Sequence, residues 1–198
     1  MVIRRTAIAL AFLIVLFSTT DVRANGSITW SPTGGPTGGQ INALVASPTT
    51  PGVMYAGTNG GVYLTRDEGA HWQSVSKGLP DDLTVTVLAI SRDPNVVFAG
   101  TRNGVYRTRD GGANWTLADS RFADQLILSL LIDPQSPNLV YAGTTTTVLR
   151  SDNNGDTWSE ASKDLQSVRV WSLAITADAA AIYAATDTGI YVSRDRGI

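Results

Sequence analysis

Cysteine is absent from the 198 residues, so neither a disulfide framework nor a thiolate metal site can form. Histidine is reduced to one, His71, which argues against a zinc centre and against a histidine-based catalytic triad. Basic charge is thin and unclustered, with 15 Lys and Arg against 17 Asp and Glu. Nucleic-acid binding rests on neutralising phosphates, so no nucleic-acid partner is expected. Long apolar runs are missing as well. The longest uninterrupted one, Ala7 to Phe17, has 11 residues, short of the ~20 that span a bilayer. No cofactor and no metal is expected.

That short run has a different use. Arg4 and Arg5 precede it, and Ser18 to Ala24 follow with small residues, Val22 and Ala24 standing at −3 and −1 before a cut at Asn25. This is the layout of an export signal over residues 1–24, cleaved after Ala24, which places the mature protein in the periplasm or outside the cell. A retained anchor is the alternative. Cleavage leaves 174 residues, with 12 basic and 16 acidic side chains. That length suffices for one sizeable core.

One short phrase recurs through this remainder. It reads Thr65-Arg-Asp67-Glu-Gly69-Ala-His-Trp72, then Thr108-Arg-Asp110-Gly-Gly112-Ala-Asn-Trp115, then Ser151-Asp-Asn153-Asn-Gly155-Asp-Thr-Trp158, and last Ser193-Arg-Asp195-Arg-Gly197. The third positions stand 43, 43 and 42 residues apart. A fixed period of this size marks a repeat architecture whose units bury their apolar faces against their neighbours.

Each unit reads as four short strands. In the second, Val85 to Ser91 is an apolar stretch, Asp93-Pro94-Asn95 is a turn, Val96 to Thr101 is a second strand and Val105 to Arg109 a third. Asn103-Gly104 signals the hairpin between them, and Trp115 opens an outer, more polar strand. Ala43 to Ser47, Ser129 to Asp133 and Ser172 to Thr176 match the first strand. Tyr55-Ala-Gly-Thr58, Tyr141-Ala-Gly-Thr144 and Tyr183-Ala-Ala-Thr186 match the second. Gly61 to Tyr63 and Gly189 to Tyr191 match the third, while Thr145 to Val148 lacks the glycine. The small pairs Ala56-Gly57, Ala99-Gly100, Ala142-Gly143 and Ala184-Ala185 imply close approach between sheets crowded around an axis. Four-stranded units of this length point to an all-β propeller of about four blades. The units run about 40–79, 80–122, 123–165 and 166–198, with 27–33 as a spare outer strand because Trp30 lies 42 residues before Trp72.

The phrase itself has a structural logic. Its Ser or Thr hydroxyl and its Asp carboxylate can accept hydrogen bonds from turn N–H groups. Its glycine permits positive φ, and its tryptophan can bury an indole between units. An oxygen-ligand loop for calcium is the competing reading. Recurrence in every unit, and Asn153 in place of aspartate, favour structure over chemistry.

The pattern Ser/Thr-x-Asp-x-Gly-x-x-Trp resembles the Asp-box, the bacterial neuraminidase repeat. The match is complete at Asp67 and Asp110, departs once at Asn153, and in the fourth copy stops before the tryptophan. With the flanking strands it covers nearly all of 27–198. The resemblance implies a bladed β-propeller like those of sialidases, xyloglucan-degrading glycosidases, sortilin-type receptors and photosystem II assembly factors. These differ in function, so the resemblance selects none.

In such rings ligand sites lie over the axis, on loops entering the inner strands. Here these loops carry Gly38-Gly39-Gln40-Asn42, Asp81-Asp82, Asp124-Gln125 and Arg169-Trp171. Asp82 and Asp124 are the candidate carboxylate pair for glycoside cleavage, with solvation of the loops as the plainer reading. Sialidase chemistry, which the resemblance would imply, wants three converging arginines, and Arg169 alone stands near that face. Trp171 could stack on a sugar or a peptide aromatic, or fill the channel. Gly34-Gly35 and Gly38-Gly39 form a connector and not a phosphate loop, since no Gly-Lys-Ser/Thr follows. The expected role is an exported, non-enzymatic scaffold with a protein or carbohydrate ligand, against a fragment of a glycosidase propeller. The spare outer strand and the incomplete fourth unit complement each other, either closing four blades in one chain or joining two chains.

Overall fold

The protein, seen here as a computed structural model, is described for residues 31–36, 39–161, 164–165 and 167–198. The expected export segment and its expected cleavage site, Trp30 and most of the expected spare strand lie outside the described residues.

Among the described residues fifteen strands follow one another in a repeating order. The first sheet holds β1 (Ile41–Ala46), β2 (Met54–Thr58), β3 (Gly61–Thr65) and β4 (Gln73–Ser74). The second holds β5 (Val85–Ile90), β6 (Val97–Thr101), β7 (Gly104–Thr108) and β8 (Thr116–Leu117). The third holds β9 (Ile127–Ile132), β10 (Val140–Thr144), β11 (Val148–Ser151) and β12 (Ser159–Glu160). The fourth has three: β13 (Val170–Ile175), β14 (Ile182–Thr186) and β15 (Ile190–Ser193). Each sheet is an antiparallel meander whose spatial order equals its sequence order.

The sheets stack by their inner strands, β1 against β5, β5 against β9 and β9 against β13. Among the described residues β13 makes no comparable contact with β1, so the four sheets form an arc and not a closed ring. Three apolar clusters fill the three junctions. Tyr55, Val62 and Leu64 of the first sheet meet Val85, Leu88 and Trp115 of the second. Phe98 and Val105 meet Ile127 and Leu149 of the third, with Trp158. Tyr141 and Val148 meet Val170, Ile182 and Ala184 of the fourth.

The alternation of side chains explains this division. On the second strand of each sheet the aromatic ring (Tyr55, Phe98, Tyr141) points to the next sheet, while its flanking residues point to the preceding one. Each ring packs on the phrase glycine of the next sheet: Tyr55 lies beside Gly112, Phe98 beside Gly155 and Tyr141 beside Gly197.

The small pairs do what crowding requires. A Cβ on Gly57 would stand 2.6 Å from Val85 Cγ1, one on Gly100 2.7 Å from Ile127 Cγ2, and one on Gly143 2.8 Å from Val170 Cγ1. In each case the first residue of the next inner strand is an obstacle, and at Gly100 and Gly143 the inner strand of the same sheet crowds the position too, through Val87 and Ser129. The fourth unit has Ala185 here, where no next sheet presses among the described residues.

Candidate functional site

The phrase turns are built alike. The Thr65 hydroxyl accepts the N–H of Gly69 (3.0 Å) and donates to Asp67 Oδ1 (2.8 Å), and Asp67 Oδ1 also accepts the N–H of His71 (2.9 Å). Thr108 and Asp110 repeat this with Gly112 and Asn114. Asn153 takes the same role, since its Oδ1 accepts the Ser151 hydroxyl and the Thr157 N–H while its Nδ2 donates to Thr157 Oγ1. At Oδ1 only acceptor capacity matters, and the second atom can donate because its partner is the Thr157 hydroxyl in place of the Asn114 amide, so an amide replaces the carboxylate without loss of form. Ser193 donates to Asp195 and accepts from the Gly197 N–H.

The phrase glycines all have positive φ, 93° at Gly69, 92° at Gly112, 79° at Gly155 and 72° at Gly197. The residue before each is left-handed too, at Glu68, Gly111, Asn154 and Arg196. Sequence reasoning missed this second left-handed position. Only Gly111 and Asn154 hint at it, being residue types that tolerate such a backbone.

These carboxylates are committed to the turn. The backbone N–H of His71, then its ring and the Thr65 hydroxyl, hold Asp67 at about 2 instead of the ordinary 3.8. The Asn114 side chain, the Thr108 hydroxyl and the Asn114 backbone hold Asp110 at about 2 as well. A carboxylate depressed in the fold supports it above its unfolded value. The contribution is then lost as pH falls through the folded value. The turns should therefore loosen between about pH 4 and pH 2. Carboxyl NMR titration should give midpoints near 2 for Asp67 and Asp110, and midpoints near 4 would contradict the turn geometry.

The tryptophans hold different places. Trp115 is 2% exposed, and its Nε1–H donates to the Val75 carbonyl of the first sheet at 2.6 Å. Trp158 is buried in the next junction, its backbone N–H donating to Asp119 Oδ2 at 3.1 Å and its backbone carbonyl accepting from Arg121, while its indole N–H has no partner among the described residues. Trp72 is half-buried and donates to Gly69 O within its own turn. The Asp119–Arg121 clamp has no counterpart in the repeat and was invisible in it.

At the entry of the inner strands, Asp82 and Asp124 each lie three residues before the first residue of β5 and β9. They are repeat-equivalent and exposed, and neither makes a hydrogen bond or ion pair among the described residues. Asp81 is exposed beside Asp82, while Gln125 sends its carbonyl to the N–H of Gly104. Among the described residues no group of three or more His, Asp or Glu is placed to hold a metal ion.

A β-bulge one residue into each inner strand sets the next feature. The bulged residues are Asn42, Thr86, Leu128 and Trp171. A bulge re-aims its side chain, and here it points forward: Asn42 Nδ2 donates to Val85 O (3.1 Å) and Thr86 Oγ1 to Ile127 O (2.6 Å). Trp171 has no further sheet to meet among the described residues. Its indole is 51% exposed, and the Arg169 guanidinium lies 5.0 Å above the ring. Such a cation–π pair is an amphipathic platform. The structure thus joins Arg169 with Trp171 and leaves Asp82 and Asp124 as separate loop residues.

A cleft of about 910 Å³ opens between the third and fourth sheets, lined by Arg150, Ala161, Leu165, Tyr191, Val192 and Gly197 among others. A smaller one of about 240 Å³ lies beside Trp72 and His71.

Solved structures with this arrangement are much longer proteins. An ancestral GH74 enzyme superposes with a TM-score of 0.70 at 22% identity, over 87% of this chain and 25% of its own. The GH74 xyloglucanase of Xanthomonas campestris gives 0.68 at 17% identity, over 80% of this chain and 30% of its own. The extracellular domain of a hybrid two-component system from B. thetaiotaomicron gives 0.63 at 20% identity, over 78% and 21%. The fold is a β-propeller. The chain spans about a quarter of the length of the solved structures it matches. No family model matches the chain, and no curated relative does. At these identities the propeller likeness speaks for architecture alone.

Proposed function

We propose that the chain is an exported, non-enzymatic β-propeller built on Asp-boxes, acting as a binding or assembly scaffold. The observation that carries this reading is the equivalence of Asp82 and Asp124. Cleavage by two carboxylates needs an acid and a base or nucleophile in different surroundings. The repeat gives these two the same loop position and the same exposure. The feature that breaks the repeat instead is the Arg169–Trp171 pair, which suits stacking on a sugar or an aromatic side chain. The first 24 residues support export.

A second reading is part of a glycosidase propeller, supported by the fold likeness to the xyloglucanase. Incubation with xyloglucan and with sialyllactose separates the two. The scaffold reading expects no release of reducing sugar, and expects Trp171→Ala to abolish any xyloglucan-induced change in tryptophan emission. Hydrolysis lost in Asp82→Asn or Asp124→Asn would establish the glycosidase instead.

A further inference from the structure

We propose that Asn59 modifies itself: the backbone nitrogen of Gly60 attacks its side-chain amide, and Asn42 holds the oxygen on which charge gathers. The product is aspartate or isoaspartate at position 59. This chemistry goes beyond the scaffold reading and does not depend on it.

The attack is least hindered where glycine follows asparagine, because no Cβ then stands beside the attacking nitrogen. The sequence holds four such steps, beginning at Asn25, Asn59, Asn103 and Asn154. The first lies outside the described residues. The repeat surrounds the other three differently. Asn154 is left-handed at φ of 58°, and Gly155 is buried against Phe98 with its N–H held by the Ser151 hydroxyl at 2.8 Å. Gly104 is buried too, its N–H donating to Gln125 O on the loop into β9 at 2.9 Å, with Phe122 O close by. Both nitrogens are boxed in. Gly60 alone of the three glycines is exposed, and a Cβ on it would meet nothing within 4 Å.

Two neighbours of Asn59 suit the reaction. Asn42 sits on the bulge of β1, and its Nδ2 donates to Val85 O (3.1 Å) and to Asn59 Oδ1 (2.8 Å). A carbonyl can only accept, so Val85 fixes which end of the Asn42 amide faces Asn59, and the atom it meets there is the oxygen. As Gly60 N bonds to Asn59 Cγ, negative charge gathers on that oxygen, where a donor already in place is most effective. On the other side the Thr58 hydroxyl accepts the Gly60 N–H at 3.0 Å, the proton that has to leave. In the second sheet the equivalent Thr101 hydroxyl takes the N–H of Asn103 instead, since Asn-Gly stands one place later there.

The bonds balance with water as the single co-reactant. Gly60 N joins Asn59 Cγ, its proton passes to Nδ2, and the Cγ–Nδ2 bond breaks to release ammonia. Water then opens the five-membered imide. Cleavage at Cγ gives aspartate, and cleavage at the main-chain carbonyl gives isoaspartate. Either route adds a carboxylate at the junction of the first two sheets, on the side where Asp81 and Asp82 lead into β5. That face therefore grows more acidic as the chain ages.

Incubation of the folded chain at mildly alkaline pH, followed by peptide mapping with mass spectrometry, tests this. Asn59 should convert about tenfold or more faster than Asn103 and Asn154, a barrier difference of about 1.4 kcal/mol or more. In urea the three rates should converge. Asn42→Thr copies Thr86, which keeps its donor to the next inner strand. It should slow Asn59 about tenfold, a milder loss than the ~100-fold for an oxyanion donor shielded from water. Gly60→Ala, whose Cβ has room, should slow it by a similar factor. Melting temperatures should hold in both variants, so that a slower rate reports the chemistry and not a lost fold. Asn59 converting no faster than Asn103 overturns the site. An equal or faster rate in Asn42→Thr overturns the role of Asn42.

Discussion

Trp115→Ala is expected to cost about 3–5 kcal/mol, the range for truncating a large buried aromatic. The indole is 2% exposed, sits among Leu64, Leu79 and Tyr106, and ties the first sheet to the second through Val75 O. Its removal leaves a void and an unpaired carbonyl together. For a chain of this length about 1 kcal/mol lowers Tm by ~2–4 °C, so thermal unfolding should start at least several degrees lower. Trp72→Ala is the control: its ring is half-buried and bonds only within its own turn. If the two variants melt together, the indoles do not join sheets.

The second large effect belongs to Gly155→Val. The position has φ of 79°, where a β-branched residue is strained. A Cβ there would also stand 2.5 Å from Phe98 Cε1 of the preceding sheet. Strain and overpacking of about 1–3 kcal/mol each act at one point, so the variant should unfold near or below the temperature of Trp115→Ala. Glu68→Gly should shift stability the other way. Glu68 carries φ of 59° without packing against a neighbouring sheet, and its counterpart Gly111 shows that glycine fits. Melting curves of the two variants that move in the same direction would refute the left-handed pair as a feature of the turn.

Much of this architecture was legible because the repeat states each local rule several times. Four phrases located four turns, and the Ala-Gly pairs announced the close approach that Val85, Ile127 and Val170 enforce. The hairpins were slightly misplaced: Arg102 and Asn103 make the turn and Gly104 already opens β7. The third hairpin, which lacks glycine, closes through Thr144, whose hydroxyl donates to Thr147 O just as Thr101 does to Gly104 O. The conserved-looking final threonine of each second strand had thus been an unread signal.

The candidate site was less legible, for a physical reason. Repetition encodes what every unit shares, while a binding surface depends on what one unit does differently. Asp82 and Asp124 are the candidate pair because both stand on loops entering inner strands, and the repeat that puts them there also makes them alike. The bulge that turns Trp171 outward cannot be read from one strand, because it needs the pairing of Val170 and Ser172 with β14 to be known. Arg169 was noted only for its charge, and its seat above the indole came from the backbone.

The apolar interior is divided into three separate seams, each shared by two sheets, with no common centre. Resistance to denaturation in such a molecule resembles that of a chain of links, governed by the weakest seam and little helped by strengthening the others. A lineage of such proteins can therefore lengthen or shorten by whole sheets without redesigning what remains.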